Sequence, residues 1–484
     1  MKCRIHLLIA AVLAIVSTNN CGGLNYDNPL QAPIDSLLAE LKSTPMDAIL
    51  YWNFVTLQAC ANDYDASIAP TPDNLGPTET SRAFAIIHGA MYEAMAVFNQ
   101  GYKPLFRPNG MPNIGNVHKQ SAVNAAIMEA AYQTLRAMYP QQQAIFDAVR
   151  KQYRSQLKND GNKRGAITIG IRVGQLISAF ILASRQNDNS EADMSYTPIL
   201  LPGYHRADPT HPDQGFLTPK WGSVTPFLLN SGSQFRPANV VGDTPVARLS
   251  YLGSTRHTRD FNEVKAYGAT NSTVRSADQT EIGIFWAYDA APKIGVPVRL
   301  YNQVVRVIAI QEKNTLEENA RLFALVNYAL GDAGIAAWDC KYYYNFWRPI
   351  VGIRQAIGST QRDPNWLPLG SQADGVGTDF TPPFPSYVSG HSTFGSATFE
   401  SLRLFYKTDN IEFQFQSDEF NGQTIDSNTG QVRPAKTRHY QSFTEAEIEN
   451  FLSRIYLGVH WRSDQEEGKT LGRNIAQFAY QKFY

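Results

Sequence analysis

Residues 81–98, SRAFAIIHGAMYEAMAVF, repeat their apolar side chains at helical spacing. An apolar helical stripe of this length must be buried against neighbouring elements. The same reading covers 45–98, with a break at APTPDNLGPTETSR, and then 123–157 and 165–185. It resumes at Asp278 and dominates to the C-terminus. No strong run of alternating strands and no clear internal repeat is present. The chain is therefore read as all-α.

Between 194 and 275 the pattern breaks up. Proline, glycine and aromatics crowd YTPILLPGYHRADPTHPDQGFLTPKWG, as in a long irregular wrapping segment. A second irregular stretch covers 363–385, and a polar excursion at 417–441 reads as a surface loop. The chain of 484 residues is long enough for two domains or one large helical body. Its 43 basic and 43 acidic side chains balance, which argues against a general nucleic-acid or polyanion surface.

The first residues, MKCRIHLLIAAVLAIVSTNNCGG, have a basic start and an apolar run from Leu7 to Val16. That run is too short to span a bilayer and fits a secretory signal peptide, 1–20. The expectation is an exported protein, periplasmic or secreted. Cys21 is a candidate for a lipid anchor, although Asn20 stands where lipoprotein signals favour a small residue. No other run reads as long and apolar enough for a transmembrane span. Beyond the leader only Cys60 and Cys340 remain, which make neither a disulfide framework nor a zinc site. The sequence leaves the oligomeric state open. His88, His205, His211 and His257 lack metal-ligand spacing and are read as structural.

Three local clusters carry chemistry. In WDCKYYYNFWRP, Lys341 and Arg348 are expected on one helical face, about 11 Å apart along the axis. Pro349 stops or bends that helix at Arg348. In FPSYVSGHSTFG, Ser389, Gly390 and His391 open a helix, whose first N–H groups favour an anion. The bland alternative is an N-cap serine and a core histidine. In SRIYLGVHWRSD, Gly458 lets the chain leave helix geometry after Arg454 and before His460. Asp464, four residues on, is placed to accept a ring N–H of His460. Together the clusters collect three cations, a hydroxyl, a helix N-terminus and two histidines. That is a site for one tetrahedral oxyanion.

Lys-x6-Arg-Pro, Ser-Gly-His and Ser-Arg-x5-His-x3-Asp resemble the three-part signature of the type 2 phosphatidic acid phosphatase and vanadium haloperoxidase superfamily. ARLFALVNYALGDAGIAAW, FWAYDAAPKIGVPVRLYNQ and, more faintly, YWNFV are similar to the chloroperoxidase-like branch. The resemblance implies a fold built around two four-helix bundles. The domains expected are the leader, an N-terminal helical half at 22–275 with its irregular connection, and a C-terminal bundle at 276–484 carrying the site.

The resemblance further implies vanadate as cofactor, with hydrogen peroxide, halide and a small organic acceptor as reaction partners. His460 would bind vanadium. Lys341, Arg348, Arg454, the Ser389 hydroxyl and the Gly390 N–H would hold the oxygens. His391 would be the acid–base group, Asp464 would orient His460, and Asp289 would pair with Arg454. Trp338 and Phe384 match the aromatics beside the halide. Ser392 stands where fungal and algal relatives resemble one another in having alanine, which puts it in the halide pocket. Two alternatives share the pocket. One is an exported acid phosphatase that binds phosphate and forms a phosphohistidine at His460. The other is a non-catalytic vanadate- or phosphate-binding protein.

Overall fold

The computed structural model describes residues 30–484 apart from 107, 113, 115–118, 160–163, 193–194, 359, 371–379 and 427–428. The signal-peptide reading and Cys21 lie outside the described residues.

Helices α1 (Gln31–Ser43), α2 (Ala48–Asp63), α3 (Gly76–Ala96), α4 (Lys119–Met138), α5 (Gln143–Asn159) and α6 (Arg164–Ser184) form the first group. The continuous helix expected over 123–157 is two helices. Pro140 lacks the N–H that an unbroken helix needs there, and α5 starts afresh at Gln143. Helix α6 is long and apolar enough to cross a bilayer by length and composition, contrary to the expectation for this region. Here one face of α6 is buried on α4. A Cβ on Gly174 would lie 2.6 Å from the Ala126 carbonyl, so the two backbones touch.

Two short helices, α7 (Pro245–Leu252) and α8 (Thr255–Tyr267), lie within the segment read as irregular. Thr244 and Ser254 cap them by accepting from Ala247 N and His257 N. Their stops at Gly253 and Gly268, after about two and three to four turns, hid them from a search for long periodicity. The rest of that segment wraps the surface and is tied down by a buried carboxylate. Asp332 accepts the main-chain N–H groups of Phe227, Leu228 and Leu229 at 2.6, 2.9 and 2.9 Å.

The second group holds α9 (Ala277–Phe285), α10 (Pro297–Gln311), α11 (Leu316–Tyr344), α12 (Pro349–Arg354), α13 (Gly390–Tyr406), α14 (Phe443–Tyr456) and α15 (Arg462–Phe483). Helix α11 begins in a Thr315–Glu318 capping box and is buried along nearly its whole length. It packs on α3 on one side and on α13 and α15 on the other, joining the two groups. The all-α, two-bundle body read from the sequence is borne out. Strands β1 (Phe413–Gln416) and β2 (Thr437–Tyr440) form one antiparallel pair, Phe413 opposite Tyr440. The polar excursion is therefore no simple surface loop. It buries Ser417, Glu419, Phe420, Arg433 and Tyr440. The pairing of Glu419 with Arg433 lets two charges sit inside.

Candidate active site

Helix α11 ends four residues before the sequence suggested. Asn345 takes the left-handed conformation (φ 52°) and caps it, donating its N–H to Lys341 O at 2.8 Å. Lys341 thus sits in the last turn, where a cation complements the helix dipole. Arg348 is extended and stands at the N-cap of α12, so the two cations do not share a helix face. The chain reversal nonetheless brings both to one place. Lys341 is fully buried and donates to Pro385 O at 2.9 Å and Ser386 O at 3.2 Å. Arg348 donates to Phe384 O and Val459 O at 2.8 and 2.7 Å. Neither cation is a snorkelling surface residue.

Helix α13 starts at Gly390, capped by Ser389, whose Oγ accepts from Ser392 N at 3.3 Å. The cap reading is thus realised, and the serine hydroxyl hydrogen is still free to donate. A Cβ on Gly472 would lie 2.2 Å from Thr393 O, so α13 and α15 pack backbone to backbone. That closeness sets the Ser389 N–H 3.0 Å from the Asp464 carbonyl. On the third side, α14 carries Arg454 in its last turn, and Gly458 (φ 74°) turns the chain to present His460.

His460 is buried. Its Nδ1 lies 2.9 Å from Asp464 Oδ2, and its Nε2 lies 2.9 Å from Arg348 Nη1. Nδ1–H therefore donates to the carboxylate, and Nε2 carries the lone pair. Burial, with Arg348 and Lys341 next in effect, holds His460 well below the usual histidine range. Asp464 also accepts from Trp461 N at 3.0 Å and from the Ser386 hydroxyl. Sequence reading missed Ser386. It lies just ahead of the Ser-Gly-His motif, and only the fold shows that its side chain turns toward α15. Burial raises the Asp464 carboxyl against the pull of these donors and of Lys341 and Arg348.

His391 donates from Nε2 to Ala287 O at 2.7 Å, which leaves Nδ1 as the lone-pair nitrogen. Burial pushes it down to about 3, so the ring is neutral near pH 7. Arg454 Nη1 lies 2.7 Å from Asp289 Oδ2, an ion pair without hydrogen-bond alignment. Among the described residues, Arg348 Nη2 and Arg454 Nε and Nη1 are buried with no hydrogen-bond acceptor. Burial, and after it Arg348, also pushes Lys341 well below the usual lysine range. Three cations face two carboxylates here. Unpartnered buried N–H groups and an excess of basic over acidic side chains are what an oxyanion would satisfy.

Trp338 and Phe384 pack with ring centres 4.7 Å apart and planes tilted by 48°, with Lys341 Nζ 5.5 and 4.9 Å from their ring centres. Both rings, with Gly390, His391, Arg454, His460 and Asp289, line one cavity of about 730 Å³. Ser392 does not line it. Its hydroxyl donates to Gln465 O at 2.8 Å, on the α15 side. Its placement in the halide pocket is corrected: one residue after His391 on a helix, its side chain points about 100° away. His211, read as structural, does line the cavity. His88, His205 and His257 are buried among aromatic side chains. Cys340 is fully buried beside Lys341, and burial pushes its thiol up, so it acts as a small apolar residue.

Residues 321–484 match a family model described as the VCPO second helical-bundle domain. A vanadium chloroperoxidase of Curvularia inaequalis is 36% identical over 308 residues, 55% of this chain and 49% of that protein. The match thus spans about half the length of that relative. In fold, the chain is similar to a bacterial vanadium-dependent iodoperoxidase, with a TM-score of 0.68, 22% identity and coverage of 91% of this chain and 98% of that one. It is also similar to a bacterial vanadium-dependent chloroperoxidase solved in its holo form, with a TM-score of 0.60, 16% identity and coverage of 84% and 92%. These findings bear out the resemblance read from the motifs.

Proposed function

From its kinship with the vanadium haloperoxidases, we propose that this chain is itself a vanadium-dependent haloperoxidase. It uses hydrogen peroxide to oxidise iodide and bromide, and chloride more slowly, to hypohalous acid. The observation that carries the reading is the set of unpartnered guanidinium N–H groups of Arg348 and Arg454, gathered with Lys341, around His460. Those residues fit vanadate. His460 Nε2, the lone-pair nitrogen, would bind vanadium, and Arg348 Nη1 beside it would donate to an oxygen. Lys341, Arg348, Arg454, the Ser389 hydroxyl and the Gly390 N–H are the oxygen donors. Bound vanadate supplies a Lewis-acidic centre that activates peroxide without changing oxidation state.

The chain's own residues do the rest. Asp464 and Ser386 hold His460 in the Nδ1–H tautomer. Neutral His391 takes a proton from hydrogen peroxide at Nδ1 and returns it to the departing oxygen. Its Nε2 bond to Ala287 O fixes the ring while it does so. Asp289 counters the charge of Arg454. Trp338 and Phe384 give a weakly hydrated place for halide, and Lys341 over the same rings offers it a positive charge.

The phosphatase alternative draws on the same His460–Asp464 pair, which would suit a nucleophilic imidazole. The 36% identity to a vanadium chloroperoxidase favours the haloperoxidase reading. The test is bromination of a dye by apoprotein with peroxide and bromide, with and without orthovanadate. Vanadate-dependent turnover is expected. Equal activity in vanadate-free buffer, or hydrolysis of p-nitrophenyl phosphate as the dominant activity, would overturn the proposal.

A further inference from the structure

We propose that the cavity over the cation cluster binds an organic halogen acceptor with an acidic hydroxyl, a phenol or an enol, and that His211 takes its proton. The inference rests on the haloperoxidase reading and names the third reactant of the same site. Size is the first ground. The cavity measures about 730 Å³. A water molecule takes up roughly 30 Å³, and peroxide with one halide ion needs only a small multiple of that. Cavities of about 300–1,000 Å³, mostly apolar with a few placed polar groups, are the size of small-molecule sites. Phe216, Leu217, Phe380 and Pro383 give this one an apolar wall on which an aromatic ring can lie.

The second ground is the polarity of His211. Asp208 is buried and accepts from the Thr210 hydroxyl at 2.6 Å and from the Thr210 N–H at 2.8 Å. The single hydroxyl hydrogen of Thr210 is thus committed to Asp208. Thr210 Oγ1, 3.0 Å from His211 Nδ1, is then the acceptor and the ring nitrogen the donor. His211 therefore holds its proton on Nδ1 and its lone pair on Nε2. A carboxylate, a hydroxyl and an imidazole in series fix the tautomer that a general base requires. The ring packs edge-on against Phe380, its centre 5.8 Å away, and its side chain is 17% exposed, on the cavity wall. Among the described residues, its side-chain hydrogen bond, ion pair and ring contact go to Thr210, Asp208 and Phe380 and not to an oxyanion donor.

The chemistry balances. His211 Nε2 takes the phenol proton, and the oxygen pair moves into the ring. A ring carbon attacks the halogen of hypohalous acid. The carbon–halogen bond forms and the halogen–oxygen bond breaks, its electron pair leaving on oxygen. The hydroxide so released takes the proton from His211 and becomes water. The ring C–H proton then returns to the phenol oxygen. Overall, phenol and hypohalous acid give halophenol and water.

The test uses the vanadate-loaded protein with 2-naphthol as acceptor. Calorimetry should show saturable 2-naphthol binding to the wild type, at least tenfold weaker in His211→Phe. Bromination should be saturable in 2-naphthol, and with plain phenol its ortho-to-para ratio should differ from that given by free hypobromous acid. In His211→Gln the rate of naphthol bromination relative to triiodide formation should fall at least tenfold, and the product ratio should move to the free-reagent value. Wild-type protein that oxidises halide but binds no naphthol and gives the free-reagent ratio overturns this inference alone. Protein that oxidises no halide with vanadate overturns the haloperoxidase reading and this inference with it.

Discussion

The main-chain N–H of Tyr288 donates to the Glu419 carboxylate at 3.1 Å, joining the excursion after β1 to the turn that carries Asp289. That turn has an uncommon backbone. Tyr288 (φ 43°) and Ala290 (φ 63°) flank Asp289 in the left-handed region. The Ala287 carbonyl that holds His391 and the carboxylate that pairs with Arg454 both belong to it. Glu419, itself paired with buried Arg433, therefore props the turn from outside the cavity.

Removing that prop separates stability from activity. Glu419→Ala leaves the Tyr288 N–H buried without a partner and Arg433 with Asp426 alone, at a cost of about 1–3 kcal/mol. Adding Arg433→Met removes the guanidinium that has lost its buried partner and should recover part of that loss. Bromide turnover should stay at least tenfold down in both variants, because Ala287 and Asp289 remain unsupported. Urea denaturation and steady-state bromination measure the two effects. Recovery of turnover along with stability would refute the prop.

The unpartnered N–H groups of Arg348 and Arg454 predict that tetrahedral anions stabilise the fold. At one hundred times its Kd, orthovanadate should add about 2.7 kcal/mol, read as a rise in Tm. Phosphate should give a smaller rise and compete with vanadate. In His460→Ala the vanadate increment should shrink to that of phosphate, since only a bond to the imidazole distinguishes the two. His391→Ala should keep the vanadate increment and lose most turnover. Equal loss of vanadate in both variants would show that the two histidines do not divide the work.

Acid should weaken the chain through His88 as well as through the site. His88 donates from Nδ1 to Phe84 O at 2.9 Å and meets the Asn53 amide at Nε2, 3.1 Å away. Burial pushes it down to about 4. The unfolded chain, titrating near 6.5, binds the proton more readily. Its contribution is thus fully present above pH 6.5 and is lost as pH falls through about 4, on the order of 3 kcal/mol over that window. Denaturation midpoints at pH 7, 5.5 and 4.5 should fall in that order, with a shallower fall in His88→Gln. A flat profile would contradict a buried neutral ring.

Much of this site was legible because its parts are local in sequence. Lys341 with Arg348, Ser389 with His391, and His460 with Asp464 each lie within one short stretch, so residue type and spacing carried the signal. The reach of α11 was misjudged because Asn345, not Pro349, ends it, and a left-handed cap is weakly marked in sequence. Ser386, Glu419 and His211 were missed for another reason. Each meets a partner or a cavity that only the tertiary packing brings near. The surface-loop reading of 417–441 weighed polarity alone, and buried ion pairs such as Glu419 with Arg433 defeat that measure.

Halide choice is where the structure changes the expectation most. Ser392 donates its hydroxyl to Gln465 O, on the α15 side, which takes that hydrogen away from a halide or a peroxide. Ser392→Ala should cost about 1 kcal/mol through that lost hydrogen bond. Its ratio of chloride to bromide turnover should stay within twofold of wild type. The aromatic pair is the stronger lever. Trp338 and Phe384 pack against Lys341, and in the proposed function they would keep water from a halide there, which would help the poorly oxidised chloride most. Phe384→Asn brings a hydrated amide to that wall and should lower chloride turnover at least tenfold more than iodide turnover. Monochlorodimedone chlorination and triiodide formation at several acidic pH values provide the comparison. A Phe384→Asn enzyme with an unchanged halide ratio, or a Ser392→Ala enzyme with a strongly altered one, would move the halide site away from the Trp338–Phe384 pair and toward the start of α13.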